Sequence, residues 1–210
     1  RLVLVSRTGL PEREQWTRWL TEHDENESIA SSIRRVLAIE SAGAQVMVCQ
    51  ADVADEFRMR DVIAAAESRF GAIRGAVHAA GAEVRLSPIQ SLQRADCEIQ
   101  FRAKLQGLRV LERVLRDKPL DFCLVNSSLA SVMGVMDFAS YTASHLFMDA
   151  FVIRHNRQGG VPWKIVNWDH WLAEGPGAEK QSHYMRAGEA TEVLARILAT
   201  PDAAQILVST

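Results

Sequence analysis

The sequence lacks several features that would place a chain of 210 residues in a particular class. No apolar run approaches the ~20 residues that cross a bilayer, so we expect no membrane segment. A formal net charge of -2 gives no electrostatic reason to bind nucleic acid or an anionic membrane. The three cysteines, Cys49, Cys97 and Cys123, form no CxxC pair, which favours reduced thiols in a cytoplasmic protein. The six histidines lack HExxH spacing, so we expect no metal site.

A glycine-rich phosphate-binding fingerprint such as G-x-G-x-x-G is also missing. The chain starts at Arg1 and enters an apolar strand at once, which we interpret as the start of an excerpt from a longer polypeptide. We therefore expect a first strand and its glycine loop to be supplied from upstream. Without that strand the sheet would keep a slot, and each unpaired buried amide costs ~1–3 kcal/mol.

The sequence does contain short apolar strands that alternate with helical patterns. Hydrophobic residues make up 48% of the chain, which is enough for one domain with a core. This alternation predicts an α/β fold, a Rossmann-type doubly wound parallel sheet with helices on both faces, in a single domain over residues 1–210. The strands are predicted at 2–5, 45–49, 75–78, 122–125, 163–166 and 206–208, and the main helices at 28–42, 55–70, 92–116, 140–156 and 187–198.

Small or polar residues follow each of the first five predicted strands. Ligands of doubly wound sheets bind outside the carboxyl ends of the strands, so these residues are candidates for a cofactor site. They are Ser6-Arg7, Ala51-Asp52-Val53, His78-Ala79-Ala80-Gly81, Asn126-Ser127-Ser128 and Asn167-Trp168-Asp169.

In order and spacing, these segments resemble the ketoreductase domain of modular polyketide synthases, a branch of the short-chain dehydrogenase/reductase superfamily. The resemblance covers essentially the whole chain. It implies NADPH-dependent reduction of a β-ketoacyl group, tethered to an acyl carrier protein through phosphopantetheine, to a β-hydroxyacyl group beside neighbouring synthase domains. The matching pieces are LVLVSR at 2–7, ADVAD at 51–55, VHAAG at 77–81, NSSLASVMG at 126–134, Tyr141 and IVNWDHW at 165–171.

The resemblance implies that Tyr141 donates a proton to the substrate carbonyl and that Ser128 holds the carbonyl oxygen. Hydride arriving at a ketone carbon leaves charge on oxygen, and two hydroxyl groups aimed at that oxygen stabilise the charge. Lys104 fits the K-x-x-G segment that provides the cation of polyketide ketoreductases. A nearby cation lowers the pKa of a tyrosine and speeds proton delivery near neutral pH.

His145 departs from the resembled pattern. The common short-chain dehydrogenase has lysine four residues after the tyrosine, and polyketide ketoreductases usually have asparagine there. A neutral imidazole can still donate and accept hydrogen bonds, and a protonated one could assist Lys104. We therefore include His145 among the catalytic candidates.

Arg7 indicates the choice of cofactor. An acidic residue at this position would bind the ribose hydroxyls of NAD, whereas the planar guanidinium of arginine suits the 2′-phosphate of NADP. The resemblance places Asp52 and Val53 at the adenine. The other cofactor-binding candidates are Ser6 before Arg7 and the small residues Ala79, Ala80 and Gly81, which let the backbone approach the dinucleotide.

Two further segments resemble functional loops of the family. The stretch 173–181 resembles the lid that closes over cofactor and substrate. The family marks one hydroxyl configuration with a leucine and two aspartates together, and the loop 82–87 (AEVRLS) lacks that marker, so product stereochemistry stays open.

Two other functions stay open from the sequence. One is a free-standing short-chain dehydrogenase that acts on a small ketone or alcohol. The other is a catalytically impaired, structural ketoreductase domain within a synthase, in which His145 has weakened the site.

Overall fold

A computed structural model describes residues 1–24, 27–81, 87–171, 184–200 and 203–210. Strands and helices alternate in it, and every strand pair is parallel, so the predicted α/β fold is confirmed. The strands are β1 Leu2–Ser6, β2 Val46–Gln50, β3 Gly75–His78, β4 Phe122–Ser128, β5 Trp163–Trp168 and β6 Gln205–Val208.

The helices lie close to their predicted positions, except that the short helices after the first and fourth strands lie outside the predicted helix ranges and the helix predicted at 92–116 is interrupted. They are α1 Trp16–Glu22, α2 Ser28–Ser41, α3 Glu56–Phe70, α4 Arg94–Phe101, α5 Gly107–Leu115, α6 Ala130–Met133, α7 Ala139–Arg157 and α8 Ala187–Ala199, with a 3₁₀ turn at Arg13–Gln15 and a π-helical turn at Arg102–Gln106. None of the helices in the described ranges is long and apolar enough to span a bilayer.

The chain divides into two compact units. Unit 1 comprises Arg1–Ala72 and Arg109–Asp117, and unit 2 comprises Ile73–Leu108 and Lys118–Thr210. The strands correspondingly occur as a two-stranded sheet, β1-β2, and a four-stranded sheet, β3-β4-β5-β6.

Unit 1 is built on the parallel pair β1 and β2, in which Leu2 lies opposite Val46. Helix α2 begins where the Glu27 carboxylate accepts hydrogen bonds from the backbone N–H groups of Ile29 and Ala30, at 3.1 and 2.9 Å. This capping satisfies two amides that have no partner within the helix. The apolar core of the unit consists of Trp16, Ile33, Val36 and Val46, with Leu4, Leu10, Trp19 and Leu20 packed against it.

Unit 2 has helices on both faces of its sheet. The side chains of the fully buried strand β5 alternate between these two faces. Val166 and Trp168 pack in one apolar cluster with Ile197 of α8. Asn167, between them, points to the opposite face and hydrogen-bonds Asp149 of α7 at 2.9 Å. Neighbouring side chains of a strand point to opposite faces of the sheet, so β5 contacts α8 with one set of side chains and α7 with the other.

Strands β4 and β5 extend beyond their predicted ends at Val125 and Val166. Ser127, Ser128, Asn167 and Trp168 belong to the strands and pair with one another across the ladder. The prediction ended each strand where its apolar run ended. Polar residues continue the strands because Ser127 and Asn167 are buried and hydrogen-bonded beneath α7.

Candidate functional site

Tyr141 lies in the first turn of α7, in unit 2. Its half-buried ring packs edge-on against Phe138 at 5.8 Å between centroids and against the imidazole of His145 at 4.3 Å. Among the described residues, no hydrogen bond engages the phenol hydroxyl. The hydroxyl is therefore free to bind a ligand oxygen.

Lys104 lies in the π-helical turn between α4 and α5 and is only 4% exposed. Its ammonium donates a hydrogen bond to Gln100 Oε1 at 2.8 Å and lies 5.2 Å from the centroid of the Tyr141 ring. Burial lowers the pKa of Lys104 to about 8. The structure thus brings the predicted cation to the predicted proton donor. A lysine on a helix is ordinarily solvated, so this burial is informative.

Ser128 is the last residue of β4 and is half-buried. Its Oγ accepts a hydrogen bond from the Ala130 backbone N–H at 3.2 Å, which leaves the hydroxyl proton available for donation. Its carbonyl accepts from Asn167 Nδ2 at 3.2 Å and lies 2.9 Å from Ser131 Oγ. These bonds hold the end of β4 beside β5.

His145 lies one turn beyond Tyr141 on α7 and is 4% exposed. Its Nδ1 is 3.2 Å from Ser127 Oγ, and its Nε2 has no hydrogen-bond partner within the described residues. Burial, with the Lys104 charge added, lowers the pKa of His145 to about 3. His145 is therefore a neutral imidazole at physiological pH. It does not act as a second cation beside Lys104, an option the sequence left open.

Asp149 and its partners form a buried network that the sequence analysis missed. The Asp149 carboxylate accepts hydrogen bonds from Ser127 Oγ at 2.7 Å, Ser131 Oγ at 2.6 Å, Asn167 Nδ2 at 2.9 Å and Gln205 Nε2 at 3.3 Å. A signal was present, since Asp149 follows Tyr141 and His145 at a spacing of four residues, which places all three on one helix face.

His78 is predicted at the end of a strand near the cofactor site, but nothing in the sequence indicates that it is buried near Lys104. It ends β3, is 3% exposed, and has an Nε2 without a hydrogen-bond partner in the described ranges. Burial and the charge of Lys104 lower its pKa to about 4, although a hydrogen bond to the Ala103 backbone opposes this. His78 is thus a second neutral imidazole near Lys104.

The small residues after β3 lie where the sequence predicted them, at the carboxyl end of a parallel strand. Ala79 and Gly81 are exposed and Ala80 is half-buried. A Cβ added to Gly81 would meet none of the described residues within 4 Å, so the described part of the chain leaves space over this backbone. Such space at a strand end fits the close approach of a dinucleotide.

The other cofactor candidates belong to unit 1. The Arg7 side chain is exposed after β1, and Ser6 Oγ donates to the carbonyl of Thr8. Asp52 Oδ1 accepts from the Ala54 N–H at 2.9 Å in the turn after β2, and Val53 is half-buried in that turn. An exposed guanidinium at a strand end fits an anionic group of a ligand. The predicted lid at 173–181, and 82–86 of the stereochemical loop, lie outside the described residues.

Comparison with known proteins gives matches along the chain. A family model described as KR domain matches residues 1–173. Polyketide synthase PksL of Bacillus subtilis (strain 168) is 30% identical over 193 residues, which are 90% of this chain but 4% of PksL. The chain therefore spans a small part of this relative's length.

Solved structures share the fold. A structure described as an A1-type ketoreductase has a TM-score of 0.78 at 24% identity, over 99% of this chain and 41% of that one. An alcohol dehydrogenase of the archaeon Thermococcus sibiricus, complexed with 5-hydroxy-NADP, has a TM-score of 0.74 at 16% identity, over 99% of this chain and 94% of that one.

Proposed function

The chain belongs to the ketoreductase (KR) domain family, and from this premise we propose that it reduces a β-ketoacyl group to a β-hydroxyacyl group with NADPH. The substrate is held by an acyl carrier protein through phosphopantetheine, and residues 1–210 act as one catalytic domain of a cytoplasmic polyketide synthase, beside neighbouring synthase domains. The observation that carries the proposal is the buried ammonium of Lys104 beside the Tyr141 ring, whose hydroxyl has no protein partner among the described residues.

Tyr141 and Ser128 supply the two hydrogen bonds that a ketone oxygen needs during reduction. Ser128 has an unused hydroxyl proton, and its Oγ is fixed by the Ala130 N–H. Bound NADPH supplies the hydride that adds to the carbonyl carbon. As negative charge grows on the oxygen, Ser128 stabilises it and Tyr141 transfers its proton to it.

Lys104 lowers the cost of that proton transfer. The transfer leaves a phenolate, and the ammonium near the ring stabilises the phenolate electrostatically. Burial strengthens this effect because water screens the pair less than at an exposed position. Lys104 can then return a proton to Tyr141, and solvent reprotonates the amine.

The chain offers residues suited to NADPH at two places. Arg7 would bind the 2′-phosphate through its exposed guanidinium. Ala79, Ala80 and Gly81 would carry the nicotinamide half past the end of β3, where Gly81 leaves space for it. Ser6, Asp52 and Val53 complete the proposed set on the adenosine side.

The test is NADPH oxidation by the full-length synthase polypeptide with a β-keto N-acetylcysteamine thioester, and then with the same acyl group on its carrier protein. We expect turnover with both, and a higher kcat/KM on the carrier. Tyr141→Phe should lower kcat ~10²–10⁴-fold, because it removes the proton donor. Tyr184→Phe alters the other tyrosine of the chain and should leave kcat within about twofold of the wild type.

The alternatives predict different results. A free-standing dehydrogenase would reduce small ketones and gain nothing from the carrier protein. An impaired structural domain would oxidise NADPH with neither thioester. Wild-type turnover by Tyr141→Phe would overturn the catalytic assignment.

A further inference from the structure

We propose that Asp149 and Ser127 lock His145 in its Nδ1–H tautomer, so that Nε2 is a fixed hydrogen-bond acceptor that positions the Lys104 ammonium beside Tyr141. His145 is then a positioning residue. The inference rests on the proposed function for its catalytic consequence, whereas the tautomer follows from the hydrogen bonds alone.

The lock begins at the Asp149 carboxylate, which accepts hydrogen bonds from four side-chain donors. A carboxylate oxygen has no proton to give. The 2.7 Å contact between Ser127 Oγ and Asp149 Oδ1 therefore uses the single hydroxyl proton of Ser127.

Ser127 Oγ can consequently only accept from its remaining neighbours. One is Asn167 Nδ2 at 3.2 Å, and the other is His145 Nδ1 at 3.2 Å. Nδ1 must then carry the proton of the neutral imidazole, and Nε2 must be the bare nitrogen. The reverse tautomer would place two lone pairs against each other at the Ser127–His145 contact.

The bare nitrogen is buried, in a ring that packs against Tyr141. His145 is 4% exposed, and its Nε2 finds no partner in the described part of the chain. A buried acceptor without a partner is unfavourable, so a native site keeps one where a ligand or an ordered water completes it.

Lys104 is a charged donor close enough to act on this acceptor electrostatically. Its charge acts on His145, and both residues lie against the Tyr141 ring, at 5.2 Å for Nζ and 4.3 Å for the imidazole centroid. Nζ has three protons, and Gln100 Oε1 accepts one of them. Nζ and Nε2 are not hydrogen-bonded to each other, so under the proposal one ordered water would accept from Nζ and donate to Nε2.

Among the described residues, the titratable groups near Lys104 are Tyr141 and His145 on α7 and His78 at the end of β3. The two imidazoles are neutral, so they add no positive charge beside the ammonium. Removing the His145 acceptor should make the charged form of Lys104 less favourable. The alkaline fall of kcat should then move to lower pH.

The tautomer can be measured without any turnover. The full-length protein labelled with [¹⁵N]histidine is studied by two-bond ¹H–¹⁵N correlation, and His145→Asn identifies the signals of residue 145. We expect the Nδ1–H pattern from pH 5 to 9. Ser127→Ala should release the lock and admit the Nε2–H form, whereas Ser131→Ala should keep the wild-type tautomer. An Nε2–H pattern in the wild type would overturn the inference.

Kinetics test the consequence. His145→Phe keeps a ring but has no acceptor. It should lower kcat ~10-fold or more, leave KM unchanged and move the alkaline fall of kcat to lower pH. His145→Asn restores an acceptor oxygen, so it should restore both kcat and the pH at which kcat falls. A His145→Phe enzyme with the wild-type pH profile would overturn the positioning role. Absence of wild-type turnover, with the Nδ1–H tautomer present, would instead overturn the proposed function.

Discussion

The Lys104 ammonium lies 5.2 Å from the centre of the Tyr141 ring, in surroundings that leave the lysine 4% exposed. A cation over an aromatic face is worth ~0.5–2 kcal/mol, more when it is desolvated. Burial of this cation is costly, and its lowered pKa expresses that cost. We expect this charge to act on the adjacent phenol, and the predictions for Lys104 test that expectation.

The rate of ketone reduction should depend on pH through Lys104. Below its pKa of about 8 the residue is an ammonium, and above this pH it loses the charge that stabilises the phenolate. We expect kcat to fall as pH rises through about 8. Lys104→Met should have a low kcat without this limb. Stopped-flow NADPH oxidation from pH 6 to 10 measures the profile, and a flat wild-type profile would contradict the role of the charge.

Lys104 should also make stability depend on pH. Its pKa is about 8 in the folded protein and near the ordinary lysine value of 10.5 in the unfolded chain. Between these values the unfolded chain binds more protons, so the free energy of unfolding should rise with pH. Lys104→Met should remove this rise and be more stable at pH 7, on the order of 1–3 kcal/mol. Denaturant melts of both proteins at pH 7 and 9.5 measure the free energy of unfolding. If the difference between the variant and the wild type were equal at the two pH values, the prediction would be refuted.

Arg7 should determine the choice between NADPH and NADH. Arg7→Ala removes the guanidinium from the end of β1, and we expect KM for NADPH to rise ~10-fold while kcat changes little. Arg7→Asp should lower KM for NADH, because a carboxylate binds the ribose hydroxyls. Arg58→Ala, an exposed arginine in the same unit, is the matched control. Unchanged KM values for both cofactors in the Arg7 variants would exclude Arg7 from the cofactor site.

Gly81 offers a test of the proposed path of the cofactor after β3. The described residues leave the space above its backbone open, so Gly81→Val should fold with a melting temperature close to that of the wild type. If the dinucleotide occupies that space, the valine should raise KM for NADPH ~10-fold or more. Gly188→Ala, also in open space but on α8, should leave KM unchanged. Tight NADPH binding by Gly81→Val, measured by fluorescence titration, would place the cofactor elsewhere.

Asp137 should limit stability through its backbone conformation. Its φ of 63° is the one positive value among the described non-glycine residues, and its carbonyl accepts the Ser87 N–H at 2.9 Å. Glycine adopts this conformation without a side-chain penalty, so Asp137→Gly should stabilise the protein by ~0.5–1 kcal/mol. Asp137→Ala should be destabilising. Urea midpoints at constant m-value decide between these outcomes.

The parallel α/β architecture was predictable because strands and helices differ in period and length along the sequence. Val166 and Trp168 pack beneath α8, as a strand buried on both faces should. Family resemblance selected Tyr141, Ser128 and Lys104, and the structure places Lys104 against Tyr141. The catalytic roles of these residues remain predictions.

The hydrogen-bond network around Asp149 was beyond sequence reasoning. Ser127, Asp149 and Asn167 come from β4, α7 and β5, and polar residues at such positions also fit exposed strand ends and a solvated helix. The parallel register sets Ser127 opposite Asn167, and only this register shows that both side chains can donate hydrogen bonds to the Asp149 carboxylate. The state of His145 depends on this register, so the sequence left it open between a cationic and a neutral role.

The π-helical turn at Arg102–Gln106 has a consequence for the direction of the Lys104 side chain. A wider turn holds more residues than an α-helical one, so the helical phase before Arg102 does not continue beyond Gln106. Deleting one residue from this turn would let the backbone relax into an uninterrupted α-helix, and the residues of the turn, Lys104 among them, would then point in new directions. We therefore expect such a deletion variant to keep its strands and to lose the close approach of the Lys104 ammonium to the Tyr141 ring.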